Sequence, residues 1–206
     1  MPSENISFNK VKTLNNKPFL LQRSNQKQKS YGALSQKLHC RRHILFHRQT
    51  RQPKIAPACR TYRLITCRLY DVQKQYPFET VAVCVLPNHI HAIWMLPPDD
   101  ADYSLRWRLI KTKFSAHFPR AENLSASKQR RHERGIWQRR FYEHTVRDET
   151  DLQRCADDIH FNPVKHGSCG NVRDWAFSSF HRYVRDGWLP LDWGGTKETA
   201  VMSFGE

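Results

Sequence analysis

The sequence predicts a single α/β sandwich, and three observations predict it. Two β-rich runs, "FETVAVCVLP" and "HIHAIWMLP", succeed each other across the turn-forming pair Pro87-Asn88. Three further stretches carry apolar residues at helical spacing. No segment repeats, and 206 residues that are 39% hydrophobic suffice for one domain with its own core plus an appendage.

The elements follow in order. In "YRLITCRLYDVQKQYPF" (62–78), Leu64, Ile65, Leu69 and Val72 share a helical face that stops near Pro77. The two strands come next. "SLRWRLIKTKFSAHF" (104–118) reads as an amphipathic helix, with Leu105, Leu109, Ile110 and Phe114 inward and Arg106, Arg108, Lys111 and Lys113 on an exposed basic face. "NLSASKQRRHERG" reads as a polar loop. "DETDLQRCADDIHF" (148–161) opens on capping residues and sets Leu152, Cys155, Ala156 and Ile159 in one stripe. Its end is expected before Pro163, because the residue preceding a proline avoids the helical region. Asp158 and Asn162, four apart, share the opposite, exposed face. The aromatic tail "WAFSSFHRYVRDGWLPLDWGG" (175–195) reads as irregular core packing.

The net charge of +15 suggests a nucleic-acid partner, but its distribution qualifies that. Residues 1–75 hold 16 Lys/Arg against 2 Asp/Glu, and residues 76–206 hold 18 against 17, so the imbalance sits almost wholly in the first third. That third has no clean period before about residue 62, and "SNQKQKSYGALSQK" has the polar composition of disorder. The expected division is a basic, disordered or out-of-frame segment (1–61), a folded domain (62–195) and a tail (196–206). No run approaches the 18 apolar residues of a membrane span, and the start lacks a secretory pattern. Six cysteines without CxxC or zinc-type spacing read as reduced thiols of a cytoplasmic protein.

Side chains alternate along a strand, so His89 and His91 point one way while Ile90 and Ala92 point the other. Two imidazoles about 7 Å apart by the strand rise can hold one divalent cation. An isolated HxH is more often a chance pair, and on spacing alone the motif carries little weight.

The company it keeps changes that. "VLPNHIHAIWMLPPDDADYSLRWRLIKTKFS", "GIWQRRFYEHTVRDETDL", "DIHFNPVKHG" and "DWAFSSFHRYVRDGWLPLDWGG" resemble, in order and spacing, the REP-associated tyrosine transposases, domesticated relatives of single-tyrosine HUH transposases. The resemblance covers about residues 62–195. It implies an RRM-like fold, an antiparallel sheet with flanking helices. It implies cleavage of single-stranded DNA next to short palindromic hairpins through a covalent phosphotyrosine, with Mg²⁺ or Mn²⁺ as cofactor. On that resemblance His89 and His91 are metal ligands, and Asn162, the polar residue one turn after the nucleophile, completes the metal site. It also implies that the tail around Trp188–Trp193 lies against the active-site region.

One departure is severe. The nucleophilic tyrosine of the family stands four residues before the asparagine of "NP", and that position here is Asp158. Tyr142, in "RRFYEHT", and Tyr183, in the tail, stand elsewhere. An aspartate is short, and its carboxylate is repelled by a phosphodiester. Loss of a covalent nucleophile costs on the order of 10⁴–10⁶ in rate in other enzymes. A minor alternative makes Asp158 a third metal ligand that permits slow hydrolysis by water. For DNA contact, Arg139 and Arg140 beside Trp137, Phe141 and Tyr142 suit stacking on an unpaired base and holding phosphate.

The N-terminal third departs as well. The family begins with a segment like "YRxxYIxGGTYFFTVN", which supplies the first strand, and none occurs in frame. Yet "RRHILFHRQ" (41–49) has a codon choice that, displaced by one base, spells "GGTYFFTVR". The expectation is a displaced reading frame from about residue 30 to between 63 and 73, a sheet whose first strand is missing, and an exposed edge. Two functions remain open: a transposase relative impaired in catalysis, and a non-catalytic protein that binds DNA hairpins.

Overall fold

All seven residues of one strand, His89–Met95, are buried, and the sheet is built around it. The computed structural model describes residues 43–49, 58–119, 124–138 and 142–195. The order is β1 (His43–Gln49), α1 (Ala58–Gln75), β2 (Glu79–Val85), β3 (His89–Met95), α2 (Tyr103–Ser115), α3 (Ala126–Arg130), β4 (Tyr142–Thr145), α4 (Glu149–Lys165), a 3-10 turn (Val172–Asp174) and α5 (Phe180–Arg185). The strands form one antiparallel sheet in the order β2-β3-β1-β4.

The alternation of β3 sorts the core into two layers. Ile90, Ala92 and Trp94 join Tyr62, Ile65, Leu69 and Val72 of α1 and Trp107, Ile110 and Phe114 of α2. Trp94 stacks on Trp107 at 4.6 Å between ring centroids. On the other face Ile93 and Met95 meet Leu152, Ala156 and Ile159 of α4 and the tail residues Phe180, Tyr183 and Trp193. The antiparallel sheet with helices on both faces is the architecture expected.

The missing first strand is corrected. His43–Gln49 pairs with β3 from His43↔Met95 to Gln49↔His89, and with β4 from Ile44↔Thr145 to His47↔Tyr142. A ladder is made by main-chain N–H and C=O groups, which "HILFHRQ" offers as well as any segment, and Ile-Leu-Phe favours extended backbone. The open edge expected beside β3 is therefore closed. At the sheet's β2 end, Val85 N–H donates to Phe177 O (2.9 Å) and Ser179 N–H to Val83 O (2.8 Å), so the tail seals that edge. Of the segment 1–61, β1 and the first residues of α1 are described; the rest, and the tail 196–206, lie outside the described residues.

Three other expectations need correction. The polar loop contains a one-turn helix, α3. The helix expected to stop at residue 161 runs on to Lys165 with Pro163 inside it. A proline near a helix end forfeits only its own N–H bond. The following N–H groups still close the turn: His166 donates to Asn162 O (2.9 Å) and Ser168 to Pro163 O (2.8 Å), with Gly167 at φ +64°. This half of α4 is buried nearly all round, so Asn162 is buried and not on an exposed face.

The third concerns Arg106, expected on the exposed basic face and only 3% exposed. Its guanidinium donates to both Asp100 carboxylate oxygens (2.6 and 3.1 Å) and to the carbonyls of Pro77 (2.8 Å) and Asp102 (2.9 Å). A planar cation with five donors can be buried when its acceptors are fixed around it. The bonds from Arg106, and then the Asp102 N–H that donates to Asp100 Oδ1 at 2.8 Å, hold the Asp100 carboxyl below the usual carboxylate range. Arg106→Ala leaves those acceptors unpaired and is expected to cost about 3 kcal/mol. Urea denaturation checks this: the midpoint falls while the slope is unchanged.

Candidate metal centre

The turn Leu86–Asn88 delivers β3 into the sheet, closed by Leu86 N–H on His89 O at 2.8 Å. His89 and His91 follow on the α4 face, both buried. Their ring centroids are 4.9 Å apart, closer than the strand rise suggests, because that rise sets only the Cα spacing and the rings lean together. The final turn of α4, the turn that Pro163 was expected to prevent, brings in a third imidazole. His166 is exposed, and its ring lies 4.7 Å from that of His89. One ligand nitrogen from each of His89, His91 and His166 falls within 4.8 Å of the others.

The donor chemistry fits a divalent cation. The Oδ1 of Asn88 lies 2.6 Å from His89 Nδ1. A carboxamide oxygen only accepts, so Nδ1 carries the proton and Nε2 keeps its lone pair for a metal. Three imidazoles, two buried and one open to solvent, leave positions on an ion for an outside ligand.

The other expected residues sit as follows. Asp158, Asn162 and His166 are spaced by four along α4 and form one stripe. Asn162 Nδ2 donates to the Asp158 carbonyl at 2.8 Å, with the Asp158 carboxylate at 3.4 Å. Asp158 is half-buried, with Lys165 Nζ 3.9 Å from its carboxylate, and it too stands outside the group. Trp137 donates its indole N–H to Ser115 Oγ (3.0 Å) and meets Phe114 edge-on, so part of its surface belongs to the core. Arg139, Arg140 and Phe141 lie outside the described residues. In the tail, Trp193 is buried behind α4, near His160 and Phe180. His160 itself bonds Ser179 Oγ at 2.8 Å, fixing α4 to the segment that seals β2.

His166 was missed. Its signal was present, four residues beyond Asn162 in the same stripe, but ending the helix at residue 161 removed it from view.

No family model matches the chain. A Haemophilus influenzae protein named as a REP-associated tyrosine transposase is 46% identical over 129 residues, 62% of this chain and 73% of that protein. The REP-associated tyrosine transposase of Escherichia coli strain K12 is 42% identical over 145 residues, 70% of this chain and 79% of that one. A solved structure of a REP-associated tyrosine transposase bound to a REP hairpin superposes with a TM-score of 0.64 at 36% identity, covering 80% of this chain and 91% of that one.

Proposed function

The chain belongs to the REP-associated tyrosine transposases, and from that premise we propose that it binds DNA at short palindromic hairpins of the REP type but no longer joins itself to the strand. One observation carries the reading. The three imidazoles remain grouped beside the α4 stripe, while the stripe position that corresponds to the attacking tyrosine holds the carboxylate of Asp158.

A divalent cation bound by His89, His91 and His166 would supply Lewis-acid neutralisation of charge on a scissile phosphate. An all-nitrogen donor set favours Mn²⁺ over Mg²⁺, which prefers oxygen ligands and near-ideal octahedral geometry. Asn88 orients the His89 ring, and Asn162, whose Nδ2 donates to the Asp158 carbonyl, stands on the same α4 stripe as His166. Asp158 repels the phosphodiester it would need to attack, and its oxygens are not among the grouped ligand atoms. No helix among the described residues is long and apolar enough to cross a membrane.

An electrophoretic test with a hairpin oligonucleotide carrying unpaired flanks, in the presence of Mn²⁺, decides the matter. The expected result is a retarded complex, preferred over a scrambled sequence, with neither a nick nor an adduct. Nicking that disappears in His89→Ala would show a working nuclease, and equal binding of scrambled DNA would remove hairpin recognition.

A further inference from the structure

A second group of ligand-type residues lies at the β4 end of the sheet: His144, Asp151 and Cys155, with one ligand atom each within 4.8 Å of the others. It borders an open cavity of about 710 Å³ lined by Tyr142, His144, Thr145, Arg147, Arg154 and Cys155. The spacing would suit a metal, but the bonding argues against one. Asp151 is buried to 4% exposure, and its carboxylate already accepts from His144 Nε2 at 2.7 Å, the backbone N–H of Arg147 at 3.1 Å, Arg154 Nη2 at 3.0 Å and, weakly, the Cys155 thiol at 3.8 Å, with the Arg147 guanidinium as an ion-pair partner at 3.6 Å. Burial alone would raise the Asp151 carboxyl, but the bonds from His144, Arg147 and Arg154 outweigh it and hold the group down at about 2. Burial, and then the neighbouring Asp151, push the Cys155 thiol up to about 12, so it is no ready thiolate ligand. A cation here would have to displace two guanidinium groups.

The same arrangement suits an anion. Asp151 acts as a buried counter-charge that steers the two largely exposed guanidinium groups, at 71% and 61% side-chain exposure, towards the cavity mouth. Two arginines against one carboxylate leave the cavity with a net positive charge. Tyr142, 61% exposed, adds an aromatic face on the same rim. The sheet register links this rim to the histidine centre, because Tyr142 pairs with His47 and His47 with His91. Two strand spacings, about 10 Å, separate Tyr142 from His91, short enough for one bound strand to touch both.

We propose that this cavity binds a backbone phosphate of the unpaired DNA flank beside the hairpin, through Arg147 and Arg154, with the neighbouring base stacked on Tyr142. The proposal rests on the hairpin-binding reading and adds where the single strand runs. It gives the pair of buried Asp151 and half-buried His144 a positioning role.

The test compares a hairpin with an unpaired flank, the same hairpin without it, and a flanked hairpin whose flank phosphates are uncharged methylphosphonates. Each is titrated against the full chain and against Arg147→Ala, Arg154→Ala and the double variant, with thermal melting as the folding control. The native chain is expected to bind the phosphate flank about tenfold tighter than either other DNA. The double variant is expected to lose that advantage and about 0.7 unit of salt slope for the one phosphate released, while its affinity for the unflanked hairpin is unchanged and its melting, though lowered because Asp151 loses two partners, remains cooperative. Tyr142→Ala should lose part of the advantage, in the range of base stacking. Equal binding of flanked and unflanked hairpins by the native chain would overturn the proposal and leave hairpin recognition standing; failure to bind any hairpin would sink both. Competition by millimolar inorganic phosphate alone, equal to that by the flank, would reassign the cavity to free phosphate. A Mn²⁺ or Zn²⁺ titration showing a cation lost in Cys155→Ala would reassign it to a metal.

Discussion

An Asp158→Tyr variant is expected to become covalently joined to single-stranded DNA beside a hairpin, where the native chain gives no adduct. Asp158, Asn162 and His166 lie on one stripe of α4, and the helical rise places Asp158 about 12 Å along the axis from His166. A tyrosine at this position projects further from the helix than an aspartate and brings a nucleophile instead of a repelling anion. Two neighbours already suit it. Asn162 keeps its 2.8 Å bond to the backbone carbonyl of residue 158, so its side chain stays in place when the carboxylate goes. Lys165, now 3.9 Å from the carboxylate, would favour an ionised phenol. Removing a covalent nucleophile costs about 10⁴–10⁶ in other enzymes, and its return should be worth a comparable factor if the remaining parts are intact. A denaturing gel with end-labelled hairpin oligonucleotide and Mn²⁺ reads the adduct directly. His91→Ala in the same background should abolish it. An Asp158→Tyr chain that binds the hairpin and forms no adduct would show that position 158 is not the only lesion.

Much of this site could be read in the sequence, and the misses share a cause. Period-two alternation placed His89 and His91 on one face because β3 is a regular strand, and the core positions of α1 and α4 followed from helical spacing. Local rules failed where tertiary contacts outweighed them. Proline avoidance ended α4 four residues early, hiding His166, because the burial of Phe161, Asn162 and Pro163 and the closing bonds of the last turn keep the helix intact. Charge alone put Arg106 outside, because no local pattern announces that two carbonyls near Pro77 and the Asp100 carboxylate converge on it. The Asp151 cluster was equally silent. Its donors come from β4, the loop after it and the next turn of α4, which alternation and spacing read one element at a time.

Replacing β1 by the displaced-frame strand is expected to stabilise the fold, and we propose that this strand is what the gene once encoded. The sheet accepts His43–Gln49 through its backbone, but the register sets demanding neighbours. Ile44, Phe46 and Arg48 are paired with Trp94, Ala92 and Ile90, all of which belong to the apolar layer shared with α1 and α2. A position opposite Ile90 on that face suits an aliphatic residue, and the native chain supplies an arginine. The frame displaced by one base substitutes H43T, I44Y, L45F, H47T, R48V and Q49R, keeps Phe46 and puts a β-branched residue at the demanding position. Better strand formers along β1, with a β-branched residue at the register position opposite Ile90, should be worth about 2 kcal/mol, or roughly 5 °C in melting temperature for a domain of this size. R48V alone should give the larger part. The nucleotide sequence across codons 30–75 supplies an independent test, since it must spell a "GGTYFFTV"-like segment one base out of frame. If it does not, residues 41–49 are the chain's own strand, and a melting temperature unchanged by R48V would agree with that. If it does, while the exchanged strand together with Asp158→Tyr yields more adduct than Asp158→Tyr alone, the chain carries two separate lesions, one in the sheet and one at the nucleophile.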